Sequence, residues 1–266
     1  MPYWLLIPQW LPARSGMTTQ ANRRFLLDVL TGQLCAFLAV KIHDDVFDRQ
    51  TKDLALIYAA DQLLLSAAAA FEPYFSSRST FWSFMRDSLK KTFNAISDVD
   101  HAQVHGYGAA RSAARSTAGM YAVCNLATYA VCLRAGRRRM YPRIQQCTDE
   151  IACVGQYLDD LEDIKVDLRR GRLNYAGSVL GGKRAHGKSN VLRMVARGAL
   201  VEGRSDTFLS MLHGHIVRAA RYAGLSGIPE LIDLVKTHSD LLDSIEYSLH
   251  SRRVKFVLGS IAPARR

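Results

Sequence analysis

Proline is scarce in this chain, with seven in 266 residues, so little interrupts the apolar residues that recur at three- and four-residue spacing. Helices are favoured over strands nearly everywhere. Cysteine is scarce too. Cys35, Cys124, Cys132, Cys147 and Cys153 form an odd set without CxxC spacing, which fits a reduced, cytoplasmic protein whose thiols serve as small hydrophobes. The opening MPYWLLIPQWLP has neither a basic n-region nor a small-residue cleavage site, and it is not read as a signal peptide. The most apolar stretch, Leu54 to Phe71, carries Asp61 and Gln62 at its middle. No transmembrane segment is therefore expected. There is no internal repeat and no compositional seam between domains.

What is present is enough apolar material for a sizeable core: 48% hydrophobic against 22% charged residues, the profile of one globular domain. The expected fold is an all-α, single-domain helical bundle over residues 1–266, with residues 1–17 as an irregular N-terminal segment. A long helix is expected through RRFLLDVLTGQLCAFLAVKIHDDVFD, capped by Thr18 or Thr19. Further helices are expected over about 52–70, 81–97, the small-residue run AARSAARSTAGMYAVCNLATYAVCL, and 142–168. A Gly- and Lys-rich loop, GGKRAHGKSN, then leads to three more helical stretches ending near 257.

The formal charge of +11 asks for an anionic partner. The basic residues sit in short runs, Arg137-Arg138-Arg139, Arg169-Arg170 with Arg172, Arg252-Arg253 and Arg265-Arg266, rather than in one long tail. That pattern favours an anionic substrate over nucleic acid, and no nucleic-acid partner is expected. A basic helical binding module, with its aspartates as solubilising faces, stays as the alternative from another class.

Two acidic clusters carry the chemistry. Asp44, Asp45 and Asp48 in IHDDVFD lie at the C-terminal end of an apolar helix, with Asp44 and Asp48 on one face. Like charges at that spacing repel, and carboxylates at a helix C-terminus oppose the macrodipole. The same i, i+1, i+4 spacing returns as Asp159, Asp160 and Asp163 in GQYLDDLEDIKVD, with Asp167 one turn further and Gln156 one turn before. Either run alone reads as a solvated helix face. Their repetition, each time after an apolar helical run, points to a hard divalent cation with oxygen ligands.

These motifs resemble those of the class I isoprenoid synthases, the prenyl diphosphate synthases and class I terpene cyclases. IHDDVFD, with His43 before the first aspartate, is similar to the family's first aspartate motif, and GQYLDDLED to its second. Gln156 matches the glutamine of chain-length synthases, and Asp167 falls where they carry a further aspartate. Gly171-Arg172 lies near their Gly-Lys pair, and Arg115, followed by Ser116-Thr117, near their Lys-Thr position. The segment DLRRGRLNY resembles the region after the second motif in squalene and phytoene synthases. The likeness covers about residues 20–180.

The resemblance implies a helical bundle with two facing aspartate motifs, and an Mg²⁺-dependent enzyme acting on a prenyl diphosphate. It implies catalytic Asp44, Asp45, Asp48, Asp159, Asp160 and Asp163, with Asp44, Asp48, Asp159, Asp163 and Asp167 as ligands for three Mg²⁺ ions. Arg115, Lys165, Arg169 and Arg172 are the implied diphosphate contacts. The Gly-Lys-x-x-Arg and Arg-Arg-Gly segments that bind isopentenyl diphosphate in chain-elongating relatives do not occur here. A terpene cyclase, ionising one prenyl diphosphate and releasing diphosphate, is therefore the expected activity. A prenyltransferase joining two prenyl units is the alternative, since the second motif lacks the Ser and Glu usual in cyclases. Phe37, Phe71, Phe75, Tyr121 and Tyr157 are candidate walls for the hydrocarbon, and His213 with His215 gives only a weak metal signal. A homodimer is the assembly compatible with this reading.

Overall fold

The computed structural model describes residues 2–14, 17, 19–47, 50–105, 117–170, 174–182 and 191–261. They form an all-α structure with no strand among the described residues. The helices are α1 (Tyr3–Arg14), α2 (Gln20–Phe47), α3 (Leu56–Phe71), α4 (Thr80–His105), α5 (Leu126–Arg134) and α6 (Tyr141–Arg169). They continue as α7 (Tyr175–Gly181), α8 (Val191–Leu200), α9 (Arg204–Ser226) and α10 (Pro229–Ile261). Short 3₁₀ turns cover Glu72–Tyr74 and Ala122–Asn125.

The N-terminal segment, expected to be irregular, is instead a helix across Tyr3–Arg14 with Pro8 and Pro12 inside it. Trp4, Ile7 and Leu11, at helical spacing, are buried and anchor it to the core. Proline at position 8 has no N–H for the carbonyl of Trp4, four residues back. The fully buried Gln33 of α2 supplies the missing donor, its Nε2 lying 2.9 Å from the Trp4 carbonyl oxygen. Its Oε1 accepts from the Ala127 N–H of α5 at 2.8 Å. One side chain thus offsets the proline and ties three helices together.

Helix α2 packs along α3, and the approach depends on Gly32, where an added Cβ would lie 2.7 Å from the Phe71 ring. Phe71, Phe75 and Phe81 stack beside them, and Tyr129 and Tyr141 extend the aromatic layer toward α5 and α6. Among the described residues, α2 is long and apolar enough to cross a membrane by length and composition. A core helix passes the same test, and α2 buries Phe25, Val29, Gln33, Ala36 and Val40. The helix is therefore compatible with the expectation that no segment spans a membrane.

The small-residue run is not one continuous helix. Its residues 109–116 lie outside the described part. Further on, the Thr92 hydroxyl of α4 donates to the Gly119 carbonyl and accepts from the Val123 N–H, both at 3.2 Å. Those two backbone groups would bond each other in an α-helix. A side chain inserted into the ladder kinks it, and the chain passes through Tyr121 into the 3₁₀ turn before α5 starts.

The second half packs α6 on α9 and α9 on α10, with α7 and α8 closing one end. Gly198 permits that closure, since a Cβ there would fall 1.8 Å from the Leu180 carbonyl oxygen. Helix α7 is capped by Asn174, whose side chain accepts from the Gly177 N–H at 2.9 Å.

Candidate active site

The first aspartate cluster ends α2 as expected, but its charge is already answered within the helix. Lys41 Nζ lies 2.7 Å from Asp45 Oδ1 and 3.3 Å from Asp44 Oδ2, one turn before them. Burial lowers the Lys41 pKa, and the bonds to Asp45 and Asp44 outweigh it and hold the ammonium charged. The Asp45 carbonyl also accepts from the Gln50 N–H at 2.8 Å, which turns the chain away from the helix. Asp48 lies outside the described residues. His43 is turned to its own helix, with Nδ1 2.9 Å from the Ala39 carbonyl and its ring edge-on to Phe93.

The second cluster lies on α6, and its members have different surroundings. Asp159 and Asp163 are exposed. Partial desolvation, with the charges of Glu162 and Asp163, raises the Asp159 carboxyl above the usual carboxylate range. Asp160 is drawn inward. Its Oδ1 accepts from Gln156 Nε2 at 3.1 Å and its Oδ2 from the Tyr175 N–H at 3.0 Å, at the start of α7. Burial pushes its carboxyl up to about 6, against the lowering effect of those bonds. Asp160 thus joins α6 to α7 and has little left to offer a cation. Asn174 completes that joint, donating to the Asp160 carbonyl at 2.6 Å and to Asp167 Oδ2 at 2.7 Å.

Tyr121, which follows the Thr92 kink, reaches the residue one turn before the second cluster. Its hydroxyl donates to Gln156 Oε1 at 3.1 Å. Burial raises its pKa well above the ordinary value, and the negative charges of Asp159 and Asp160 from α6 and Asp44 from α2 add to the rise. Acidic groups of both clusters thus lie within electrostatic range of this hydroxyl.

The implied diphosphate contacts are not gathered there. Arg115 and Arg172 lie outside the described residues. Lys165 and Arg169 are exposed on α6. Lys165 is two residues from both Asp163 and Asp167, so at about 100° per residue it projects roughly 200° away from each.

Back along α6 from Asp160, Asp149, Glu150, Cys153 and Tyr157 line a cavity of about 560 Å³, faced by Tyr175, Met211, His215 and Tyr222. Tyr157 and Tyr175 pack with ring centroids 4.8 Å apart, so the second cluster and the cavity share a wall. Of the candidate walls, Tyr157 lines this cavity, whereas Phe71 and Phe75 belong to the α2–α3 core and Phe37 packs on Trp4. Sequence reasoning missed Lys41, Thr92, Asn174, Glu150 and His215 as site-forming residues. Asn174 alone had a local signal, as a cap residue before a short helix. The HxH pair is divided between partners, His215 to Glu150 of α6 and His213 to Glu246 of α10, because residues two apart on a helix point to different sides.

Comparison with known proteins gives no match: no family model fits the chain, and no curated protein or solved structure is detectably similar to it.

Proposed function

We propose that the chain is a class I isoprenoid synthase that ionises a prenyl diphosphate to an allylic carbocation and releases diphosphate, a terpene cyclase. The observation that supports it is the aspartate spacing at the end of α2 and its repetition on α6, where Gln156, Asn174 and the Tyr175 N–H bond Asp160 and Asp167. The adjoining cavity of about 560 Å³ falls in the size range of small-molecule pockets, about 300–1,000 Å³, and its tyrosine-rich wall suits a cationic hydrocarbon.

The donor set fits magnesium. Asp159 and Asp163 are exposed oxygen ligands; desolvation first, then the charges of Glu162 and Asp163, raise the Asp159 pKa, and a hard cation relieves the repulsion among these carboxylates. Asp44, with Asp48 following it, would complete the set from α2, and Asp167 would lie beside it on α6. When bound, Mg²⁺ ions neutralise the diphosphate and stabilise it as a leaving group. The chain's own residues do the rest: Gln156 and Asn174 orient Asp160 and Asp167, and Tyr121 holds Gln156.

A second reading is a transferase joining two prenyl units. It is favoured by Asn174 and Tyr175, which belong to the segment resembling squalene and phytoene synthases and bond Asp160 and Asp167. The protein incubated with Mg²⁺ and geranyl, farnesyl or geranylgeranyl diphosphate is expected to release diphosphate and form hydrocarbon from one of them. Asp159→Asn with Asp163→Asn should slow release by about 100-fold or more, the scale of a lost electrostatic element. Product that appears only after isopentenyl diphosphate is added moves the assignment to the transferase. No Mg²⁺-dependent release from any substrate removes the enzymatic reading.

A further inference from the structure

Glu150 and His215 form a charge-assisted pair in the cavity wall that the ionisation step does not use. Glu150 Oε2 lies 2.6 Å from His215 Nδ1, and Glu150 Oε1 accepts from Arg218 Nε at 3.0 Å. Burial raises the Glu150 pKa, but the bonds from His215 and Arg218 outweigh it and hold the carboxyl below its usual range. An ionised carboxylate at 2.6 Å requires a proton on Nδ1. The Arg218 Nη2 atom, 2.9 Å from the same nitrogen, is then a neighbour and not a second donor to it. The remaining ring nitrogen, Nε2, carries the lone pair of a ring that lines the cavity. The ring is packed edge-on against Tyr157, with centroids 5.7 Å apart, so its orientation is fixed from two sides.

Resting on the cyclase reading, we propose that His215 is the proton acceptor that ends the reaction, with Glu150 as its positioning residue. Once diphosphate has left with the C–O electron pair, the carbocation loses a proton from the carbon next to the cationic centre. That C–H electron pair becomes the new double bond, and the proton goes to His215 Nε2. The resulting imidazolium keeps its Nδ1–H on Glu150, which stabilises the new charge. Asp149, in the same wall, has a buried carboxylate oxygen without a hydrogen-bond partner among the described residues, and it makes the cavity more hospitable to a cation. The imidazolium returns its proton to water when product leaves.

The test compares alkene with alcohol formed per diphosphate released from farnesyl or geranylgeranyl diphosphate in Mg²⁺, so that a change in overall rate does not enter. His215→Gln removes the acceptor, and the alcohol share should rise about tenfold as water captures the cation. Glu150→Gln should move the ratio the same way by a smaller factor, and nitrogen NMR should show that His215 no longer holds its proton on Nδ1 alone. His213→Gln, two residues away and bonded to α10, should leave the ratio at the wild-type value. Should His215→Gln fail to fold, Glu150→Gln and the NMR signature decide. An unshifted ratio in both cavity variants overturns the role of the pair while leaving the cyclase intact, as does a wild-type product that is wholly alcohol. Absence of diphosphate release by the wild-type protein overturns the cyclase reading and this inference with it.

Discussion

The Tyr121 hydroxyl donates a 3.1 Å hydrogen bond to Gln156 Oε1, and through Gln156 Nε2 the contact continues to Asp160 Oδ1. A residue in a helix kink thereby sets the orientation of a residue one turn before the second aspartate cluster. Removing the hydroxyl by Tyr121→Phe keeps the ring and leaves Gln156 free to rotate. A lost neutral hydrogen bond is worth about 1 kcal/mol, so kcat/KM for diphosphate release should decline by roughly fivefold with little loss of stability. Steady-state kinetics beside a thermal melt checks this, and unchanged kinetics would mean that the Tyr121–Gln156 bond does not serve the site.

The kink beside Tyr121 depends on one hydroxyl. In Thr92→Val the Gly119 carbonyl and the Val123 N–H lose their shared partner, and they can meet again only if the segment straightens. The variant should lose about 1–3 kcal/mol and most of its turnover, while Thr92→Ser, which keeps the hydroxyl, should retain both. Equal behaviour of the two variants would contradict the role assigned to the inserted oxygen.

Gln33→Leu tests the offset for proline in α1. The substitution preserves volume but strands the Trp4 carbonyl and the Ala127 N–H, two buried backbone groups. The expected cost is about 2–4 kcal/mol, a lowering of Tm on the order of 10 °C for a chain of this size. Differential scanning calorimetry reads it directly. Adding Pro8→Ala restores a backbone donor for Trp4, and should recover part of the loss.

Asp149 should make stability fall as pH rises. Burial pushes its carboxyl up to about 6, only partly opposed by Lys91, from the ordinary 3.8. The folded state therefore holds this proton more tightly than the unfolded chain, and the benefit is complete below about pH 4. It is lost progressively as pH rises toward 6, above which an ionised Asp149 costs roughly 1–3 kcal/mol. Urea midpoints for wild type and Asp149→Asn between pH 4.5 and about pH 8 should diverge, with the variant the more stable at the alkaline end. Parallel curves would place the proton elsewhere.

Much of this molecule was written in its sequence. Scarce proline and apolar residues at helical spacing dictate an all-α fold, and the boundaries of α2 and α6 follow from that periodicity to within a residue or two. The position of Asp44 and Asp45, and of Asp159, Asp160 and Asp163, on helices follows as well, because i, i+1 and i+4 relations are local and survive any tertiary arrangement. Composition misled at α1: its prolines argue against a helix, and Gln33, contributed by another helix, offsets the donor that Pro8 lacks.

The chemistry of individual side chains was decided by tertiary structure. Asp159 and Asp160 are neighbours of one type, yet one faces solvent and the other joins α6 to α7, because the N–H of Tyr175 comes to meet only Asp160. Glu150 and His215 are far apart in sequence and acquire their relationship when α6 packs on α9. Local spacing fixes which residues share a helix face. Which hydrogen-bond donor arrives at that face is fixed only when the helices pack, since burial obliges each polar group to find a partner from whatever element lies opposite.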